Sequence, residues 1–148
     1  MRVEEWTFYI TGKSLSDTKL LAKVRNFEMI VDEPAEIGGT DEGPNPVEYI
    51  LVALAGCLNV TIKGIASEKG INIRSLEFAL EGRLNPEKFQ GISKKERAGY
   101  KEIKATVYIE SDTTKEKLEE LLKEVEERCP VTDNLKNPTP VKIEIKPK

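Results

Sequence analysis

A chain of 148 residues is the size of a single domain, long enough to bury about two thirds of the surface its unfolded form would expose. Charged residues make up 33% and nearly balance at a net charge of −3, so no basic footprint marks nucleic acid and no polybasic stretch marks an anionic membrane. Histidine is absent, which removes Ser-His-Asp and Cys-His catalysis and every zinc site built on imidazole; two cysteines alone cannot fill a structural zinc site, and neither metal nor other cofactor is expected.

The N-terminal run MRVEEWTFYI mixes charge with alternation and lacks the basic end, apolar stretch and small-residue cleavage site of a signal peptide, so a cytoplasmic protein is expected. Residues 3–11, 18–24 and 26–31 read as short strands, with GKSLSD as a turn between the first two and an antiparallel meander as the outcome. Asp32 to Pro46 packs Pro, Gly and Asp too densely for a regular element and is read as a loop that delivers the chain to a helix.

That helix start is well marked. Asn45 can cap, Pro46 suits the first helical position, and Glu48 falls where a capping-box carboxylate reaches back to the cap amide. The helix is expected from Pro46 to about Glu68, with Gly70 as its C-terminal stop. From Tyr49 to Ile62 it is apolar on nearly all faces, which predicts enclosure by other elements; the uninterrupted apolar run is short of the ~20 residues of a membrane span.

Residues 74–84 and 100–110 alternate with period two and are expected to pair as strands, joined by the charged, exposed connection 85–99 in which Phe89 and Ile92 could cover a pocket. A second helix opens near Asp112 with Leu118, Leu121, Leu122 and Val125 on one stripe, which Cys129 continues before Pro130 stops it. VKIEIK, residues 141–146, reads as a last strand. The order βββ-α-ββ-α-β makes the chain a single α+β domain, residues 1–148.

The two cysteines are the candidate chemistry. Without an export signal they read as reduced thiols, and at apolar helix positions inert packing is the plain alternative. A third reading is a structural bridge, since abundant Lys and Glu with few Met and no His suit a heat-stable protein. A disulfide needs Cα atoms within ~4.4–6.8 Å, so a functional pair requires the end of the second helix to pack on the middle of the first. A thiol of pKa ~8.5 is mostly protonated at neutral pH and burial raises it further, so a reactive Cys57 needs a close cation; Arg25, Arg74, Arg83, Arg97 and Arg128 are the candidates.

The stretch VDEPAEIGGTDEGPNPVEYILVALAGCLNVTI and the later RCPVTDNL, each holding one of the two cysteines, resemble the signature of the OsmC and Ohr superfamily. The resemblance implies an OsmC-like fold in an intertwined homodimer, with long central helices packed together and antiparallel sheets around them. It also implies a thiol peroxidase of oxidative-stress defence: the residue matching Cys57 attacks an organic hydroperoxide and becomes a sulfenic acid, the residue matching Cys129 resolves it as a disulfide, and an external dithiol such as a lipoyl protein reduces the pair. An arginine from the N-terminal strands, best matched by Arg25, lowers the thiol pKa in that family and is steered by a glutamate directly after the proline matching Pro46. This chain has Val47 there and Glu48 one place later, on the opposite helix face from Cys57. Glu48 therefore reads as a helix cap ahead of a carboxylate that steers the arginine, and a non-catalytic protein that binds an apolar ligand at the dimer interface is the alternative function.

Overall fold

The computed structural model describes residues 3–148. They form two compact units, one up to Ile50 and one from Leu51 to Lys148, with the division falling inside the first helix. The observed class is α+β with antiparallel sheets.

In the N-terminal unit, β1 (Thr11–Ser14), β2 (Leu20–Val24) and β3 (Phe27–Val31) make a three-stranded antiparallel sheet in chain order. The register pairs Gly12 with Ala22 and Lys13 with Leu21. β1 thus starts at the last residue of the expected strand 3–11 and runs into the segment GKSLSD read as a turn, and Leu15–Lys19 makes the reversal, closed by the Leu15 N–H donating to the Lys19 carbonyl at 2.8 Å. Residues 3–10 have strand-like composition but no strand partner, and Trp6, Phe8 and Tyr9 stand exposed.

The loop after β3 contains a 3-10 turn at Ala35–Ile37 and is organised by Asp32, which is fully buried. Its carboxylate accepts from the Thr18 hydroxyl at 2.8 Å and the Glu33 N–H at 2.7 Å on one oxygen, and from the Thr40 hydroxyl at 2.6 Å and the Glu42 N–H at 3.2 Å on the other. Lys19 pairs with Glu42 at the rim. Gly43 lies so close to the Ile30 carbonyl that no side chain could stand there. The Tyr49 hydroxyl donates to that same carbonyl at 2.7 Å.

Helix α1 runs Pro46–Glu68, as the caps predict. Asn45 and Glu48 form the reciprocal capping box, each side chain accepting the other's N–H at 2.9 Å. Gly70 ends it in the left-handed region at φ 68, with the Ile71 N–H returning to the Ala66 carbonyl at 2.8 Å.

Antiparallel β4 (Ile73–Leu84) and β5 (Tyr100–Ser111) pair Leu76 with Ile109, Phe78 with Val107 and Leu80 with Ala105. Their inner face packs on the α1 residues Leu54, Leu58, Ile62 and Ile65 and on Leu121 and Val125 of α2 (Lys115–Arg128), which makes the core of the C-terminal unit. Thr114 caps α2 by accepting the Lys117 N–H.

Four expectations need correction. By length and hydropathy α1 as a whole could cross a membrane, which the apolar run alone understated; within this chain one of its faces packs on β4, β5 and α2. It is nevertheless not enclosed on all faces, because Val52 is 59% and Val60 71% exposed within this chain. Residues 141–146 form no strand: their alternation is real, but Val141, Ile143 and Ile145 are exposed and no neighbouring strand offers a ladder. Pro130 does not stop the helical course but opens a third helix, α3 (Pro130–Lys136), occupying the first helical position where a missing N–H costs nothing.

Candidate thiol site

Cys57 sits at the middle of α1, where the helix faces the junction of α2 and α3. Cys129 is that junction. Its backbone, at φ −79 and ψ 112, leaves the helical region for one residue, so it closes α2 and caps α3. The stripe Leu118, Leu121, Val125 brings it down onto α1, and Arg128 fixes the approach by a two-pronged bond to Glu68, both contacts at 2.8 Å, with a further bond to Glu124 at 2.8 Å.

The two sulfurs, 72 residues apart in the chain, stand 2.8 Å from each other as free thiols. Cys129 is completely buried and Cys57 only partly so. Cys129 is part of the buried apolar cluster, against which Cys57, residues of β4 such as Ile73, Leu76 and Phe78, and Val131 on α3 pack. The Thr61 hydroxyl lies 4.0 Å from Cys57 Sγ, and the Thr132 N–H donates to Cys129 Sγ at 3.5 Å.

These surroundings split the pair. Burial pushes the Cys57 thiol above its ordinary pKa, and its contact with Cys129 adds to the rise. Burial also works against charge on Cys129, but the Cys57 thiol, the Thr132 hydroxyl and the amides of Thr132 and Val131 outweigh it and hold Cys129 below the usual range. The expectation of a cation beside Cys57 finds no support in its own unit. Arg74 is bonded to Glu110 and Asp112, Arg83 pairs with Glu102, Arg128 is held by Glu68 and Glu124, and Arg97 lies on the exposed connection.

Arg25 belongs to the N-terminal unit. It occupies the β2–β3 turn in the left-handed region, at φ 53, an uncommon conformation for a non-glycine residue, and its guanidinium lies 5.0 Å over the Phe27 ring. Glu48 is engaged in the capping box. Phe89 and Ile92 are exposed rather than laid over a cavity.

Sequence reasoning missed Asp32 and Thr132. Asp32 carried a weak signal, an acidic residue between a strand and a Pro- and Gly-rich loop with threonines nearby, but its partners are spread from Thr18 to Glu42. Thr132 carried none, because α3 itself was not expected.

The family model of OsmC-like proteins matches residues 39–144, a span that holds both cysteines. Among solved structures, an OsmC-like protein from Mycoplasma pneumoniae superposes with a TM-score of 0.80 at 24% identity, covering 91% of each chain. An organic hydroperoxide resistance protein OsmC from Legionella pneumophila follows at 0.65 and 16%, covering 90% of this chain and 91% of that one. An organic hydroperoxide resistance protein from Elizabethkingia anophelis, crystallised with thiocyanate bound, gives 0.67 and 15% with 91% of each chain covered. No curated protein sequence matches. At such identities the structures speak for the fold alone; the family match extends over more than half of the sequence, and the chain belongs to the OsmC-like family.

Proposed function

We propose that the protein is a cytoplasmic, thiol-dependent peroxidase that reduces organic hydroperoxides, with Cys57 as the sulfur that attacks and Cys129 as the one that resolves. The observation that carries this reading is the 2.8 Å approach of two free thiols from distant parts of the chain. Inert packing requires no such meeting, whereas a sulfenic acid on Cys57 requires a second thiol at that distance to condense with it. Organic hydroperoxide resistance proteins among the structural relatives support the same chemistry.

In this reading Arg25 supplies the positive charge that lowers the Cys57 pKa, and an external dithiol, such as a lipoyl protein, returns the disulfide to two thiols. The working form is a homodimer. Val52 and Val60 on α1 and the alternating side chains of residues 141–146 are exposed apolar surface of the kind a second copy would cover.

Cumene hydroperoxide added to the reduced protein is expected to join Cys57 to Cys129 and protect both from alkylation. Thiols that stay open to alkylation after that treatment would overturn the proposal. The alternative, a non-catalytic protein that binds an apolar ligand, is favoured by Val47 standing where the resemblance leads one to expect a glutamate. It requires native mass spectrometry to find a ligand carried from lysate or accepted from an apolar library.

A further inference from the structure

Two kinds of contact set Cys129 against Cys57, and they differ in what they fix. Leu121 and Val125 of α2 are buried in the apolar cluster that includes Leu58, Ile62 and Ile65 of α1. Apolar attraction holds the helices together but is not directional. The second contact is directional. Arg128, the residue before Cys129, reaches the last residue of α1 with both prongs of its guanidinium, Nη1 to Oε2 of Glu68 and Nη2 to Oε1, each at 2.8 Å.

The fork is part of a ring. Nη1 also donates to Oε1 of Glu124, one turn earlier on α2, at 2.8 Å, and the Lys69 ammonium, next to Glu68, lies 3.1 Å from Oε2 of that same Glu124. Hydrogen bonds from Arg128 hold the carboxyls of Glu68 and Glu124 below the ordinary range, so the ring is fully charged at neutral pH. A planar fork on a carboxylate fixes an angle as well as a distance.

The ring lies where it can govern the sulfurs. Glu68 follows Cys57 by eleven residues, and eleven steps of ~100° return to within ~20° of the same face of α1. At the other end, Arg128 adjoins Cys129, where the backbone leaves the helical region of α2. A shift of α2 along α1 that loosened the fork would also change the separation of the sulfurs, 2.8 Å here. Bond formation is sensitive on that scale, since a misplacement of ~1 Å can cost on the order of a hundredfold in rate.

We propose that Arg128 and Glu68 are positioning residues for the resolving step, their fork holding Cys129 at bonding distance while Cys57 is a sulfenic acid. The proposal rests on the peroxidase reading above. In this step the Cys129 sulfur attacks the Cys57 sulfur, the S–O bond breaks, and the sulfenic hydroxyl leaves with the Cys129 proton as water. One sulfur is oxidised as the other is reduced, so no outside electron is needed. A sulfenic acid left waiting meets a second hydroperoxide instead, which takes Cys57 to the sulfinic acid and departs as a second alcohol. The fork thus sets the branch between a reversible disulfide and a dead-end product.

The Arg128 and Glu68 side chains are 45% and 55% exposed, and ion pairs so exposed add little to global stability. Their loss should therefore show in the branch more than in the melting temperature.

Two experiments on the full-length protein test this. With cumene hydroperoxide in excess, mass spectrometry should find the ratio of Cys57 sulfinic acid to disulfide raised about fivefold in Arg128→Gln and in Glu68→Gln, with Arg128→Lys between them and the wild type and the exchanged pair Glu68→Arg with Arg128→Glu restored toward it. The attack on peroxide, followed as single-turnover peroxide loss, should stay within about twofold of the wild type. The second experiment uses no peroxide. A thionitrobenzoate group placed on Cys57, the more accessible thiol, is displaced by Cys129, and its release should slow about fivefold in the same two glutamine variants.

Wild-type behaviour of Arg128→Gln in either experiment, with circular dichroism unchanged, would overturn the proposal. So would an attack slowed as much as resolution, which would make Arg128 the cation that serves Cys57. If the wild type itself fails to consume peroxide, the peroxidase reading falls, while thionitrobenzoate release still decides whether the fork positions Cys129.

Discussion

The two units are held together by opposite means. Among the described residues up to Ile50 only Ala22 and Asp32 are buried, so the most enclosed large side chain is a carboxylate bonded by two hydroxyls and two amides. From Leu51 onward the buried set is Leu54, Leu58, Ile62, Ile65, Ala66, Leu121, Val125 and Cys129, an apolar cluster with sulfur at one end. A polar clasp is directional and depends on pH, whereas an apolar core is neither, and the two should therefore fail under different conditions.

The largest expected effect probes the core. Leu121→Ala empties a site 1% exposed and should cost about 2–5 kcal/mol in urea unfolding, a loss that stays constant across pH. The clasp should answer to pH instead. Hydrogen bonds from Thr40, and then from Thr18, Glu33 and Glu42, hold the Asp32 carboxyl well below the ordinary carboxylate range against the effect of its burial. Its contribution is therefore fully present above an unfolded-state pKa of ~4 and fades as pH falls toward the native value. Asp32→Asn should open residues 33–43 to limited proteolysis at neutral pH, and wild type and variant should converge in strong acid; an Asp32→Asn loop as resistant as wild type at neutral pH would mean the clasp is ornamental.

Smaller effects sharpen the contrast. Thr114→Ala removes the α2 cap and should cost ~1 kcal/mol, felt in the C-terminal unit alone. Breaking the Arg83–Glu102 pair, whose side chains are 70% and 65% exposed, should change stability by no more than about 0.5 kcal/mol and less in high salt.

What was legible in the sequence follows the range of the forces. Asn45, Pro46, Glu48 and Gly70 act on their immediate neighbours, and the bounds of α1 came out as read. The alternation of β4 and β5 was legible because both strands have one apolar and one solvated face. The pattern failed at residues 3–10 and 141–146, where composition favours a strand but a ladder needs a second strand that composition cannot name. Pro130 misled because a proline forbids the helix behind it and suits the one ahead. The candidate site was half legible: the Leu118–Val125 stripe pointed Cys129 inward, but only packing in three dimensions sets it against Cys57. Asp32 and Thr132 depend on partners or elements that no local pattern announces.

Cys129 is a single residue on which two helices turn, and the sulfur that would exchange electrons is also the acceptor that finishes α3. Any covalent change at that atom is therefore a mechanical event as well as a chemical one. An oxidised or alkylated sulfur gives up lone-pair density that the Thr132 amide uses, so deuterium should enter α3 faster while α2, terminated by its own backbone bond from the Cys129 N–H to the Val125 carbonyl at 2.9 Å, keeps its protection. The oxidation state of one atom would in this way become legible in the fraying of a seven-residue helix at the protein surface.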